Sequence, residues 1–320
     1  MNFVYGPIPS RQLGQSFGID LVPFKTCNWN CVYCQLGRSV PLTNQRQAYV
    51  PREDVLAEIQ HVLDTSASGE IDWITFAGSG EPTLHSDIGW LIRQVKMLTN
   101  CPVAVITNGS LLHLSEVRRD LAAADAVMPT LNAGNEAMYR RICRPWAILT
   151  FDRLREGLIA FRRKYDGLLW VEVVLIKGLN DSTEELQSLA TVLQQIKPDQ
   201  IHINLPLRPP SEAWVQPPNK DALQQAIAIL GDVAHVIPPT TESLHLVDKT
   251  SVVKTIIDVI KRHPMCEDEL IYSLGQCSLE QIEQTLEALA ESGQAQVVNR
   301  DGSRFWSASA AHYPEHTNYV

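Results

Sequence analysis

The chain has 320 residues, of which 45% are hydrophobic and 20% are charged, and its formal net charge is −9. These values are typical of a water-soluble globular protein with a large core, and the negative charge argues against a broad nucleic-acid-binding surface. The sequence has no run of about 18 apolar residues and no signal-peptide pattern at its N-terminus, so no membrane span or secretion is predicted. An odd number of cysteines, seven, favours a cytoplasmic, reducing location, with thiols used for metal binding or catalysis rather than for disulfides.

Six apolar, β-rich segments recur along the first 210 residues. Several are almost continuously apolar, which is typical of strands that are buried on both faces of a sheet. The predicted strands are FGIDLVP (17–23), WITFAGS (73–79), VAVITNG (103–109), AVMPTLN (126–132), LWVEVVLI (169–176) and IHINLPL (201–207).

Amphipathic helical segments lie between these strands. In REDVLAEIQHVLDT the apolar positions fall on one helical face, and in DSTEELQSLATVLQQI Ser182 and Glu185 have capping-box spacing. Strands that alternate with helices predict an α/β fold with a parallel sheet and right-handed crossovers. The periodicity leaves two arrangements open, an open doubly wound sheet and a barrel.

The pattern changes near residue 235. A Pro- and Thr-containing connector is followed by three short helical segments and then by two strands with RDGS at the turn, which is a hairpin signal. This order predicts a small winged-helix-like domain over residues 250–310, after a first domain over 1–245 and before a flexible tail over 311–320.

Three cysteines lie within eight residues, directly after the first predicted strand. Cys27, Cys31 and Cys34 have the spacing Cys-x3-Cys-x2-Cys, and no fourth cysteine follows closely. Thiolates are the ligands of iron–sulfur clusters, and a 4Fe–4S cluster with three of them has one iron without a protein ligand. A zinc site would require a fourth Cys or His nearby. Three unrelated thiols are the remaining alternative.

The spacing and its position resemble the signature of the radical S-adenosylmethionine (SAM) superfamily, including an aromatic residue, Tyr33, before the third cysteine. Within that superfamily, YGPIPSRQLGQSFGIDLVPFKTC, RPWAILTF and LPLRPPSEAW resemble a bacterial and archaeal group of wyosine-type enzymes that is related to the tRNA wyosine-base synthase. The superfamily resemblance covers about residues 10–210. It implies a partial (β/α)6 TIM-like barrel over residues 1–245.

The resemblance implies a 4Fe–4S cluster on Cys27, Cys31 and Cys34, with SAM bound at the open iron. One electron from a reductant such as flavodoxin or ferredoxin would cleave SAM to a 5′-deoxyadenosyl radical, which would abstract hydrogen from a substrate. A tRNA base, a peptide and a small molecule are the candidate substrates. Tyr33 would pack near the adenine.

Other motifs extend this resemblance to the ends of later strands. GSGEPTL, with Gly78, Gly80 and Glu81, resembles the turn that meets the amino group of SAM in the family. Glycine permits the close backbone approach that such a contact needs. Polar residues at the ends of parallel strands or inside them predict a site at the carboxyl edge of the sheet. These residues are Asn108, Thr130, Asn132, Glu172 and Asn204.

Two further features bear on function. Cys143 follows the fourth predicted strand and is expected near the mouth of the site, as a relay, a second ligand or a structural thiol.

In residues 251–307 acidic side chains outnumber basic ones, so nucleic-acid binding is not favoured, although Arg300 and Arg304 leave RNA as an alternative. The competing hypothesis for the whole chain is a non-enzymatic iron–sulfur redox sensor whose winged helix binds nucleic acid.

Overall fold

The main sheet has eight strands, whose spatial order is the same as their order along the chain. The computed structural model describes residues 3–67, 69–238, 252–273 and 279–313. The strands are β1 (Val4–Ser10), β2 (Gly14–Ile19), β3 (Trp73–Phe76), β4 (Val103–Thr107), β5 (Ala126–Pro129), β6 (Leu168–Val174), β7 (Gln200–Asn204) and β8 (Ala234–Val236).

Strands β2 to β8 pair in parallel, and helices connect them. This arrangement confirms the predicted α/β fold with a partial TIM-like barrel. The predicted strands correspond to β2 through β7. Since the strands are parallel, their carboxyl ends meet at one rim, and loops at that rim carry the chemistry in folds of this type.

The sheet differs from the prediction at its first strands. β2 ends at Ile19, whereas the sequence predicted a strand over 17–23, because its neighbour β3 ends at Phe76, the partner of Ile19. Beyond this point Asp20 accepts hydrogen bonds from the amide and hydroxyl of Ser79. The structure also adds β1, which pairs antiparallel with β2 at the edge of the sheet. Pro7 and Pro9 in β1 cannot donate ladder hydrogen bonds, which is tolerated at an edge.

Seven helices pack around the main sheet, and their apolar faces form one core with the strands. Ser182 accepts a hydrogen bond from the Glu185 amide and begins α6, as the capping pattern predicted. The helices are α1 (Arg52–Thr65), α2 (Ile88–Leu98), α3 (Ser115–Leu121), α4 (Glu136–Cys143), α5 (Phe151–Arg162), α6 (Thr183–Ile196) and α7 (Lys220–Leu230), with 3-10 turns at Pro82–Leu84 and Ser110–His113.

The described part of the C-terminal region has three helices, α8 (Val252–Ile260), α9 (Glu267–Ser273) and α10 (Leu279–Glu291). They accompany a three-stranded sheet in the order β10–β11–β9, formed by β9 (Met265–Cys266), β10 (Ala295–Arg300) and β11 (Ser303–Ala308). A separate apolar cluster, which includes Leu270, Leu286 and Trp306, fills its interior. The helices and the hairpin occur in the predicted order. The winged-helix assignment and the domain boundaries stay predictions, and most of the predicted connector and tail lies outside the described residues.

The contacts between this region and the barrel include three groups. Arg262 donates to the Asp20 carboxylate at 2.9 Å, and both side chains are buried. Arg300 donates to the backbone carbonyls of Arg208, Pro206 and Val215. Residues 312 and 313, in the segment predicted as a tail, pair with the backbone that follows Cys34.

Among the described helices, none combines the length and apolarity that crossing a membrane would require.

Candidate functional site

The three cysteines lie on one loop at the carboxyl end of β2, and all three are partly buried. Lys25, which has a left-handed backbone (φ 60°), directs its ammonium into this loop. Its Nζ donates to the Cys34 Sγ at 3.1 Å and to the Gly37 carbonyl at 2.7 Å. Burial acts to lower the pKa of Lys25, but the surrounding thiols outweigh this and the pKa is raised. Lys25 therefore supplies a fixed positive charge beside the sulfurs.

Cys27 lies next to the end of β4. Its Sγ accepts from the Trp29 amide at 3.4 Å and lies 3.8 Å from Asn108 Nδ2. Asn108 also donates to the Asn28 side chain at 2.7 Å, so it connects β4 to the loop. Burial, with the nearby Cys31 and Glu81, raises the pKa of the Cys27 thiol to about 12. A cationic partner is needed to stabilise the thiolate here.

Cys31 lies near Tyr33 and the buried Cys143, and both affect the pKa of its thiol. Burial raises the pKa of Cys31 well above its usual value. The Tyr33 hydroxyl accepts from Asn132 Nδ2 at 2.9 Å, and Asn132 Oδ1 accepts from the Val174 amide at 2.7 Å. Two of the predicted cofactor residues, Tyr33 and Asn132, are thus a hydrogen-bonded pair beside the cysteine loop.

Backbone hydrogen bonds hold the loop on its outer side. The amides of Asn30 and Val32 donate to the carbonyls of Cys143 and Ile142, and the Trp146 amide donates to the Asn28 carbonyl. The end of α4 and the segment after it therefore lie alongside the cysteine loop and pair with its backbone.

In the turn after β3, neighbouring atoms already occupy the positions where side chains on the two glycines would lie. A Cβ on Gly78 would lie 2.2 Å from the Asp20 carboxyl carbon, and a Cβ on Gly80 would lie 2.1 Å from the Thr26 carbonyl oxygen. Asp20 Oδ2 accepts from the Ser79 amide at 3.1 Å and from the Ser79 hydroxyl at 2.8 Å. The turn therefore lies directly against the start of the cysteine loop.

Glu81 connects this turn to β4. One of its carboxylate oxygens accepts from the Thr83 and Thr107 hydroxyls, and the other accepts from the Asn108 amide at 2.7 Å. Burial raises the pKa of Glu81, and these donors act against that rise. Protein donors thus bind both of its oxygens, and Glu81 holds Asn108 in place.

Glu172 and Asn204 form a second polar group inside the barrel. Glu172 Oε1 accepts from Asn204 Nδ2 at 3.0 Å and from Gln12 Nε2 at 3.2 Å. Burial raises the pKa of Glu172, although these donors oppose it. Within the described residues Asn204 Oδ1 is buried without a partner. Thr130 contacts this group through its backbone, which bridges to Glu172.

A cavity of about 640 Å³, here called the mouth cavity, lies between the barrel rim and the C-terminal region. Its size is in the usual range for small-molecule sites, about 300–1,000 Å³. Gly78, Gly80 and Glu172 line it from the barrel, and Arg262, His263 and Met265 line it from the C-terminal side. Three predicted cofactor residues therefore line one partly open cavity.

Sequence reasoning missed several residues of this site. Asp20, Lys25 and Gln12 lie on the same strands and loops as the motifs, but no spacing pattern in the sequence indicates that they belong to a site. Arg262 and His263 come from a region more than 200 residues away along the chain. Only the fold brings them to the mouth cavity.

The donor chemistry of the loop fits an iron–sulfur cluster, since thiolates are the ligands that such clusters take. Over the described ranges, no three Cys, His, Asp or Glu side chains converge on a point that could hold one metal ion. The thiols are instead distributed along the loop, with separate neighbours for each sulfur.

Comparison with known proteins supports the same assignment. Residues 21–190, which is more than half of the chain, match the model of the Radical SAM superfamily. A UPF0026 protein of Methanocaldococcus jannaschii is 32% identical over 274 residues, which is 84% of each chain. A Brachyspira hyodysenteriae protein named GTPase Obg is 42% identical over 223 residues, which is 70% of this chain but only 32% of that protein.

A radical SAM methyltransferase from Sphaerobacter thermophilus has a similar fold, with a TM-score of 0.51 and 20% identity over 69% of this chain and 66% of that one. This likeness concerns the fold alone. The nearer resemblance to wyosine-type enzymes stays a prediction. The chain therefore belongs to the radical SAM superfamily and to the UPF0026 family, and it is an enzyme whose cofactors are a 4Fe–4S cluster and SAM.

Proposed function

We propose that Cys27, Cys31 and Cys34 hold the cluster and that the mouth cavity receives SAM together with the substrate. The observation that carries this proposal is the placement of three thiols on one loop at the barrel rim, beside the ammonium of Lys25. When bound, the reduced cluster and SAM supply a 5′-deoxyadenosyl radical that abstracts a hydrogen atom from the substrate.

The remaining residues position these groups. Lys25 offsets negative charge on the thiolates, which burial alone would disfavour. Gly78 and Gly80 let their turn pack directly against Asp20 and Thr26. Both also line the mouth cavity, where the amino group of SAM would approach the turn. Glu81 fixes Asn108, and Asn108 in turn contacts Cys27.

A second set of residues faces the rest of the cofactor. Asn132 orients the Tyr33 hydroxyl beside Cys31, and Thr130 lies on the same strand end. Glu172 and Asn204 offer a carboxylate and an unpaired amide oxygen inside the barrel. Acceptors of this kind suit the hydroxyl and amino groups of a nucleoside.

The fold also restricts access to the site. The C-terminal region covers the mouth cavity through Arg262, His263 and Met265. Exclusion of water and oxygen protects a reactive intermediate from side reactions. The substrate class is a small molecule, a peptide or a tRNA base, and the electron donor is a flavodoxin or a ferredoxin.

Anaerobic reconstitution with iron and sulfide tests the assignment of the three thiols. We expect about four iron atoms per chain, visible charge-transfer absorbance, and 5′-deoxyadenosine when dithionite and SAM are added. Cys31→Ala should reduce both the absorbance and the product to background. Cys101→Ala is the matched control, because Cys101 precedes β4 and its thiol contacts the Ile71 carbonyl instead of the loop.

The proposal is wrong if Cys31→Ala keeps the full iron content and product yield. It is also wrong if Cys101→Ala loses them to the same extent. Circular dichroism of each apo variant establishes that the loss is not a failure to fold.

A further inference from the structure

The outer side of the cysteine loop carries a basic surface, here called the outer basic face. It consists of Arg38 from the end of the loop and of Arg140, Arg141 and Arg144 from α4 and its C-cap, with the exposed side chains of Val40 and Trp146 beside them. Arg140 and Arg141 are exposed positions in the last turn of α4, and Arg144 is the C-cap of this helix, with a left-handed backbone (φ 45°). The buried positions of α4, such as Tyr139 and Cys143, point the other way.

Contacts in the structure make this face continuous. Arg38 and Arg144 both pair with the carboxylate of Glu212, at 3.1 and 2.5 Å. Their side chains remain 45% and 40% exposed. Arg140 Nη2 donates to the Ala147 carbonyl, which extends the face past Trp146.

The face has an excess of positive charge. Its four guanidinium groups are offset by two carboxylates, Glu212 and Glu136, the latter paired with Arg140 at 2.6 Å. The whole chain has 36 acidic and 27 basic residues, so the net charge of this face is opposite in sign to that of the chain as a whole. Arginine and tryptophan beside exposed apolar surface are the residue types enriched where proteins associate.

The face also lies immediately behind the thiols. The Asn30 amide donates to the carbonyls of Cys143 and Arg144 at 3.1 and 3.2 Å. The Glu212 amide donates to the Val32 carbonyl, between Cys31 and Cys34. A partner seated on these arginines would thus lie beside the cysteine loop, with the end of α4 and its C-cap between the two.

We propose that the outer basic face docks an acidic, low-potential electron-carrier protein of the flavodoxin or ferredoxin type. This inference rests on the proposed function, because it needs a cluster on the three cysteines. In the step that docking permits, one electron leaves the reduced carrier and enters the cluster, and no covalent bond forms or breaks. Charge complementarity accelerates such encounters and is weakened by salt.

RNA is the competing occupant of a basic face with a tryptophan. Glu212 already binds two of the four arginines, so few positive charges remain for the phosphates that dominate RNA affinity. The structure therefore favours a compact acidic protein, whose carboxylates need only a few matched charges.

The experiment compares two reductants with the reconstituted holoenzyme. Dithionite reduces the cluster without docking, whereas an acidic flavodoxin that is reduced enzymatically must bind first. The variants are Arg141→Glu and Trp146→Ala, which leave the Glu212 ion pairs intact. Arg163→Glu is the matched control, since Arg163 is exposed at the end of α5, where the chain turns back to the opposite rim of the barrel.

We expect Arg141→Glu to lower flavodoxin-supported formation of 5′-deoxyadenosine about tenfold in kcat/KM, with dithionite-supported formation unchanged. The Kd for oxidised flavodoxin, measured by isothermal titration calorimetry, should rise by a similar factor and should rise further with salt. Trp146→Ala should weaken the same Kd, and Arg163→Glu should not.

Three outcomes would overturn the docking proposal: no change in flavodoxin affinity, an equal loss with both reductants, or the same loss in Arg163→Glu. A loss of tRNA binding in filter assays with flavodoxin affinity intact would assign the face to RNA instead. Absence of product from the wild-type enzyme with dithionite would contradict the proposed function, and the flavodoxin Kd would still test the docking face.

Discussion

Single residues at the rim have roles that depend on contacts to distant parts of the chain. Asp20 is the clearest case, because its carboxylate accepts from Ser79 in the glycine turn and from Arg262 in the C-terminal region. The Arg262 guanidinium also lies 4.4 Å from the centre of the Tyr5 ring, in a cation–π contact. One carboxylate thus fixes the turn, the first strand and α8 relative to one another.

Gly80→Ala tests the close packing of the turn after β3. The added methyl would lie 2.1 Å from the Thr26 carbonyl and 2.7 Å from Val22, so the turn must shift. A shift of about 1 Å in a positioning element can cost about 100-fold in rate, and we expect at least a tenfold weaker SAM affinity by equilibrium dialysis.

Gly231→Ala is the control for this substitution: its methyl would meet nothing within 4 Å, but its backbone (φ 90°) disfavours any side chain, so this variant should lose stability and keep its SAM affinity. Both changes add the same group, and only Gly80 lies at the rim. Equal SAM affinity in the two variants would contradict the role that we assign to the turn.

At the scale of elements, the end of α8 is where the C-terminal region meets the barrel mouth. Arg262 and His263 follow directly after this helix and line the mouth cavity. His263 contacts the Gln35 side chain, next to Cys34, and the Gln35 amide also donates to the Arg262 carbonyl at 3.1 Å. The residues that follow this helix therefore contact both the cysteine loop and, through Asp20, the glycine turn.

This docking predicts a dependence of stability on pH. Burial, followed by the charges of Arg208, Arg11 and Arg262, lowers the pKa of His263 to about 3. The unfolded chain takes up a proton near pH 6.5 and the folded chain does not, so the stabilisation is complete above pH 6.5 and is lost as pH falls toward 3. Urea denaturation should show a loss of at most about 1.4 kcal/mol per pH unit from this group.

His263→Gln should flatten that slope between pH 6 and 4, because glutamine does not titrate. His113→Gln is the comparison, since His113 lies in the 3-10 turn after β4, away from α8. If both variants keep the wild-type slope, His263 is not the titrating group.

The sequence was most informative about elements whose pattern is local. The continuous apolar runs identified β2 through β7, and the spacing of Cys27, Cys31 and Cys34 identified the loop. The strand β8 was missed because it has only three residues, and β1 was missed because its two prolines argue against a strand. The contacts of Arg262 and Arg300 could not be predicted, since their partners lie far away along the chain and no periodicity connects them.

At the scale of the whole molecule, two apolar cores lie side by side, and buried arginines are prominent among the contacts between them. One core fills the barrel and the other fills the C-terminal region. Arg300, with its side chain only 6% exposed, donates three hydrogen bonds to barrel carbonyls. Hydrogen bonds from a charged donor typically contribute about 1.5–3 kcal/mol each when buried.

Arg300→Met therefore tests whether the two cores unfold together. We expect the wild type to show one calorimetric transition and Arg300→Met to show two, with the C-terminal region unfolding first because barrel carbonyls lose their donors. Arg304→Met is the control. The Arg304 side chain is more than half exposed, so its ion pair with Glu267 should contribute at most about 1 kcal/mol to the free energy of unfolding. A single, unshifted transition in Arg300→Met would contradict this coupling.

The pairing of residues 312 and 313 with the segment after Cys34 has a consequence for the order of assembly. The Tyr313 hydroxyl donates to the Gln35 carbonyl across 278 residues of chain, and the Arg38 amide donates to the His312 carbonyl. Chains emerge from the ribosome N-terminus first, and their domains fold as units. The thiols are therefore synthesised early but acquire these last neighbours only when residue 313 has been made. During that interval the loop lacks these two contacts, so, if it holds the cluster as we propose, iron and sulfide would reach it without having to displace them.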